Sequence, residues 1–276
     1  MNEASDRLQS AEDQEIIDEA INIANIAESK SVTLRILGAL AIRIHITNSV
    51  DLFSKLGRLG NVNRLFTDAD FVAYSKQRHK VRGLFEDQFK FQITSYAILQ
   101  SKNRIIYSHP DGKFKVDIFF DALNFSHEVR FGNEPKNGRL KLDSPTIPLG
   151  DLVLEKLQIH EITEKDIKDL IAVLYEHRIG SDQDREMIDA KHIATTLADD
   201  WGFWYDANMN LAKVLTLAAG YQTEGLISSD VLTNVKDKID QLKQYVDAEP
   251  KSKDWNLRNQ VGIKKQWWQG VEELSR

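Results

Sequence analysis

Three aspartates pose the first chemical question. Asp68 and Asp70 stand two apart in Phe66-Thr67-Asp68-Ala69-Asp70-Phe71-Val72-Ala73-Tyr74, a mostly apolar run that reads as a β-strand. Aspartate is disfavoured in strands, and a spacing of two points both carboxylates to one face. Like charges this close repel unless a cation neutralises them. Asp117, in Lys115-Val116-Asp117-Ile118-Phe119-Phe120, raises the same problem, because an uncompensated buried carboxylate costs several kcal/mol. Hard oxygen donors suit Mg²⁺ or Mn²⁺, and three carboxylates are a usual way to hold two such ions for phosphoryl chemistry. The alternative gives Asp68 to a turn and pairs Asp117 with a neighbouring Lys or Arg.

The elements that must position these residues follow from periodicity. Ile16, Ile17, Ala20, Ile21, Ala24 and Ala27 recur at helical spacing, so residues 11–29 read as an amphipathic helix with an acidic outer face. Val32, Leu34, Ile36 and Leu37 form a short buried strand; Gly38 ends it, and Ala39-Leu40-Ala41 restarts a helix. Residues 49–64 read as a short helix plus loop, and 76–89 as a helix. Strands follow at Phe91–Tyr96, Arg104–Ser108 and Phe114–Phe120, the last two flanking His109-Pro110-Asp111-Gly112. That tetrapeptide is a hairpin turn signal, since Pro presets φ and Gly accepts a positive φ. Arg139–Leu142 is a further strand candidate, and after Pro148 helices are expected over about 148–160, 163–177, 186–200, 206–219, 228–248 and 254–269.

At 276 residues the chain suits two modest units, and the order of elements places the boundary near Ser144–Pro148. Residues 1–147 are expected to form an α/β domain and 148–276 a helical one. No apolar run approaches the roughly 20 residues of a membrane helix, so no membrane partner is expected. The polar, acidic N-terminus has no signal-peptide progression, which makes a cytoplasmic location the default expectation. The absence of cysteine excludes disulfides, thiolate metal sites and thiol nucleophiles. A net charge of −6 provides no general attraction to nucleic acid, so DNA is not an expected partner.

Leu37-Gly38-Ala39-Leu40-Ala41, then Thr67-Asp68-Ala69-Asp70-Phe71, then Val116-Asp117-Ile118 resemble the three motifs of the nucleotidyltransferase superfamily: a glycine turn, an Asp-x-Asp strand and a later strand Asp. Asp151–Gln158 followed by Lys165-Asp166-Ile167-Lys168-Asp169-Leu170 resembles the helical segment of its abortive-infection (type IV toxin) branch and of related bacterial and archaeal proteins. Glu249–Arg258, with Val261-Gly262, is similar to the tail of those proteins. The resemblance implies an α+β fold, with a nucleotidyltransferase-like mixed sheet and flanking helices ahead of an all-α domain. It implies that Asp68, Asp70 and Asp117 bind Mg²⁺ or Mn²⁺, and that Asp117 orients or deprotonates an attacking hydroxyl. Gly38 and Ala39 would then lie against the phosphates of an NTP, with Lys156 and Lys165 as further phosphate contacts. The implied activity is NMP transfer from an NTP to a hydroxyl on a small molecule, a protein or an RNA end. The alternative is a catalytically silent module of the same fold that binds a nucleotide, RNA or a partner protein, within a toxin–antitoxin or defence system. Ala39 departs from the second glycine or serine of the motif, and the interval from Gly38 to Asp68 exceeds that of compact members.

Other candidates have structural readings. Thr163 with Asp166 three residues on is a variant capping box, and Lys156 in an apolar helix can snorkel. Arg35 and Arg43 flank the glycine turn and could pair with acids of the first helix. His45, His109, His127 and His160 lack metal-ligand spacing and read as structural, while Trp201, Phe203, Trp204, Tyr205, Trp267 and Trp268 read as core.

Overall fold

A computed structural model describes residues 11–58, 65–94, 103–181 and 184–270. The protein is a mixed α/β chain with a small mixed sheet and a helical C-terminal region. Two compact units are present: Met1–Thr47, Leu59–Leu123 and Arg130–Pro148 form the first, and Asn48–Arg58, Asn124–Val129 and Leu149–Arg276 the second.

The first unit opens with α1 (Ala11–Ser29), whose buried stripe is Asp13, Ile16, Ile17, Ala20, Ile23, Ala24 and Ala27. It continues through β1 (Leu34–Leu37), α2 (Gly38–His45), β2 (Asp68–Ala73), α4 (Arg78–Gly83), β3 (Gln92–Ile93), β4 (Arg104–Ser108) and β5 (Lys115–Phe120); α3 (Val50–Leu56) belongs to the second unit. The expected strand over 91–96 is seen only as β3, and its residues beyond Thr94 lie outside the described ones. The strands form one sheet in the order β1-β2-β5-β4-β3, parallel between β2 and β5 and antiparallel elsewhere. Alternation divides its faces. Ile36, Phe71, Ile118 and Ile105 stand in one cross-strand row and are fully buried. Phe85 covers that face from a single π-turn over Leu84–Gln88, stacking on Tyr107 at 5.1 Å and meeting Phe71 edge-on at 6.1 Å.

The expected strand at Arg139–Leu142 is instead a 3₁₀ turn, Arg139–Lys141. The place beside β1 is taken by the next segment: Ile36 N–H donates to Pro145 O and Ile147 N–H to Ile36 O, both at 2.9 Å. Leu140 N–H donates to the buried Tyr74 Oη, which fits there because Gly138 has no Cβ.

After β6 (Ala122–Asn124) and β7 (Glu128–Arg130), the second unit continues with α5 (Leu149–Leu157), α6 (Glu164–Glu176), β8 (Arg178–Gly180), β9 (Met187–Asp189), α7 (Ala190–Asp199), α8 (Trp201–Thr223), α9 (Ser229–Ala248) and α10 (Lys253–Val261). It departs from the all-helical expectation at one point. Residues 187–189 pair in parallel with β8, burying Met187 and Ile188, so the helix expected from 186 starts at Ala190. Asp189 caps it by accepting from His192 N–H. The helix expected from 206 starts earlier, at Trp201, where Asp200 accepts from Phe203 N–H. The last helix stops at Val261 because Gly262 adopts φ +55°. Among the described residues no helix is long and apolar enough to cross a membrane.

Candidate functional site

The second sheet face carries the polar side chains. Along β2, Ala69 and Phe71 are fully buried while Asp68 and Asp70 are part-exposed, as the alternation predicts. In the parallel pairing Asp70 stands across from Asp117, so all three carboxylates project from one face. Neighbouring strands lie about 4.8 Å apart, and residues two apart in a strand about 6.7 Å.

The glycine turn lies at the same end of the sheet. Leu37, the last residue of β1, pairs with Asp70, and Gly38 follows it at φ +70°. Gly38 is buried and Ala39 part-exposed, and the N-cap residue of α2, Leu37, makes no side-chain cap. A helix start of this kind directs backbone N–H groups and a positive dipole end outward.

Two residues missed in the sequence hold the arrangement. Asp13 lies inside the stripe of α1 rather than on its acidic outer face. Its carboxylate accepts from Leu65 N–H at 2.9 Å and Phe66 N–H at 3.2 Å, fixing the chain as it enters β2. Its spacing of three and four from Ile16 and Ile17 was the available signal. Arg104 of β4 is the other. Its guanidinium donates through Nη2 to Asp117 Oδ2 and lies 5.1 Å over the Phe119 ring, its pairing partner across the strands. Counting back from the Pro110–Gly112 turn would have placed Arg104 on the face of Asp117.

Strand register thus brings the three aspartates to one sheet face. Among the described residues no three His, Asp or Glu side chains are grouped as placed to hold an ion. Asp117 instead has Arg104 as a cationic partner through Oδ2.

The remaining candidates have other partners. Arg35 is buried, donating to Glu28 of α1 at 2.8 Å and to Asp143 O at 2.6 Å, and Arg43 donates to Ile46 O. In the second unit, Lys156 is buried rather than snorkelling. Its ammonium lies 3.0 Å from Asp166, 3.1 Å from Asp169 and 3.9 Å from Glu155, so carboxylates surround the charge that was expected to meet a triphosphate. Burial alone would lower the Lys156 pKa, yet Asp169, Asp166 and Glu155 hold it above its ordinary value. Arg58 Nε donates to both oxygens of Asp169. Lys165 is exposed in the first turn of α6, where Thr163 caps Asp166 N–H as expected.

The histidines read as structural have structural partners. His45 meets Thr146 at 2.8 Å and His109 meets Glu19 at 2.9 Å. His127 and His160 converge on one carboxylate, Asp206, which also accepts from Trp267 Nε1 at 2.8 Å. His160 stacks on Trp268 at 3.7 Å, and Trp201, Tyr205 and Trp267 pack among themselves.

Comparison with known proteins returns no match: no family model, curated protein or solved structure matches the chain.

Proposed function

We propose that the chain is a metal-dependent nucleotidyltransferase of the nucleotidyltransferase-fold superfamily, related to the abortive-infection branch, moving an NMP from an NTP to a hydroxyl acceptor. The observation that carries this reading is the register Leu37–Asp70–Asp117, which brings the Asp-x-Asp strand, the later Asp and the glycine turn to one end of one sheet face. Asp68, Asp70 and Asp117 would hold Mg²⁺ or Mn²⁺, which supplies charge neutralisation for in-line phosphoryl transfer. Gly38 and Ala39, at the start of α2, would lie against the phosphates. The acceptor oxygen bonds to the α-phosphorus as the bond to pyrophosphate breaks, and Asp117 takes the hydroxyl proton. Incubation with each α-labelled NTP and Mg²⁺ or Mn²⁺ across small-molecule, protein and RNA acceptors tests this. Label transfer abolished by Asp70→Asn is the expected result, and its absence with every NTP and acceptor would sink the reading.

The Arg104–Asp117 pair favours a second reading, a silent module that binds nucleotide without turnover. Nucleotide affinity with no pyrophosphate release would identify it.

A further inference from the structure

Residues 265–270 follow α10 and a 3₁₀ turn at Gly262–Lys264, and adopt neither helix nor strand. They lie as a strap against the start of α8. Trp267 Nε1 donates to Asp206 at 2.8 Å, the Trp268 ring stacks on His160 at 3.7 Å with 8° between the planes, and Gln269 N–H donates to Ser126 O at 2.9 Å. Gly202 makes room for the strap backbone, because a Cβ there would stand 2.6 Å from Trp267 O.

Floor and strap are held differently. The side chains of His127 and Asp206 are 2% and 1% exposed. Asp206 accepts from His127 at 2.8 Å and from His160 at 3.0 Å, so its carboxylate keeps partners when the indole leaves. The strap has no comparable support: Trp267 and Trp268 are part-exposed, and Lys265, Gln266, Gln269 and Gly270 are exposed. Segments with little buried surface and exposed backbone open at low free energy. Gly262, at φ +55°, supplies the turn from which this one departs.

We infer that the groove formed by Ser126, His160, Gly202 and Asp206 is a peptide-recognition site that the chain fills with its own residues 265–270, and that it takes an extended peptide bearing two adjacent tryptophans when this strap lifts. The strap defines the chemistry of the ligand. A buried carboxylate accepts an indole N–H, an imidazole face takes the second ring, a main-chain carbonyl accepts a peptide N–H, and the gap over Gly202 passes the peptide backbone. The strap is thus a competing intramolecular ligand, and the fraction of molecules with it lifted sets the apparent affinity for an outside segment. The groove lies wholly within the second unit and is independent of the strand carboxylates.

A fluorescently labelled peptide of residues 262–270 is the probe, its binding to the full chain followed by anisotropy. Trp267→Ala with Trp268→Ala disables the strap and leaves the floor intact. This double variant is expected to bind the peptide at least about tenfold more tightly than wild type does. Adding Gly202→Ala, which fills the gap, should abolish that binding, and a peptide with both tryptophans replaced by alanine should not bind. Absence of binding to a folded double variant, equal affinity for wild type and double variant, or indifference to Gly202→Ala would overturn the inference. Native-state hydrogen exchange of wild type gives a second test that no variant can spoil. The Gln269 amide is expected to exchange through a local opening insensitive to low urea. Exchange of that amide only with global unfolding would make the strap a fixed part of the core and overturn the inference.

Discussion

Lys156 and Asp169 form an ion pair 3.1 Å long, with side chains 7% and 0% exposed. A buried pair is weak evidence of net stabilisation, but removing one partner leaves an uncompensated charge. Lys156→Met is therefore expected to lower stability by about 3–5 kcal/mol. Urea unfolding followed by circular dichroism measures this; a loss below about 1 kcal/mol would show that Asp166 and Asp169 are already neutralised by other means.

Acid should dissolve the Asp206 cluster. Burial pushes this carboxyl upward, but hydrogen bonds from His127, Trp267 and His160 outweigh it and hold the folded pKa below its ordinary value. A depressed carboxyl stabilises the fold above the unfolded pKa, near 3.9, and that contribution disappears as pH falls through the folded value. Wild type should accordingly lose Tm more steeply than Asp206→Asn as pH is lowered from about 5 towards 3. Parallel pH–Tm curves for the two proteins would contradict this.

At the glycine turn, neighbouring substitutions should differ. Gly38 sits at φ +70°, where a Cβ costs about 1–2 kcal/mol, so Gly38→Ala should destabilise by that amount. Ala39→Ser, in the part-exposed first turn of α2, should stay within about 0.5 kcal/mol. Thermal melts of the two variants compare them directly.

Asp13 should matter to stability despite its distance in sequence from β2. Asp13→Ala leaves the N–H groups of Leu65 and Phe66 without their acceptor, a loss of roughly 1–3 kcal/mol. Asp13→Asn, which keeps one oxygen, should recover part of it in chemical denaturation.

Periodicity and turn chemistry made much of the first unit legible. The alternation around Asp68 and Asp70 and the turn at Pro110–Gly112 placed β2, β4 and β5, and the break at Gly38 separated β1 from α2. Segments whose structure is decided by distant partners were not legible. The run at 139–142 has strand-like composition, but β1 pairs with residues 145–147 instead. Residues 187–189 carry no cue that β8 will claim them ahead of α7. At the candidate site, the common face of the aspartates follows from period-two alternation plus strand register. The roles of Arg104 and Asp13 depend on partners that a single strand or helix does not reveal.

The strand order also carries a consequence for the nascent chain. β4 and β5 are joined by a tight turn, whereas β2 and β5 are parallel and separated by α4, β3 and β4. Local hairpins close at lower entropic cost than non-local parallel pairs. Closure of the β4–β5 hairpin is therefore expected to bring Asp117 to Arg104 before the non-local pairing with β2 brings it to Asp70.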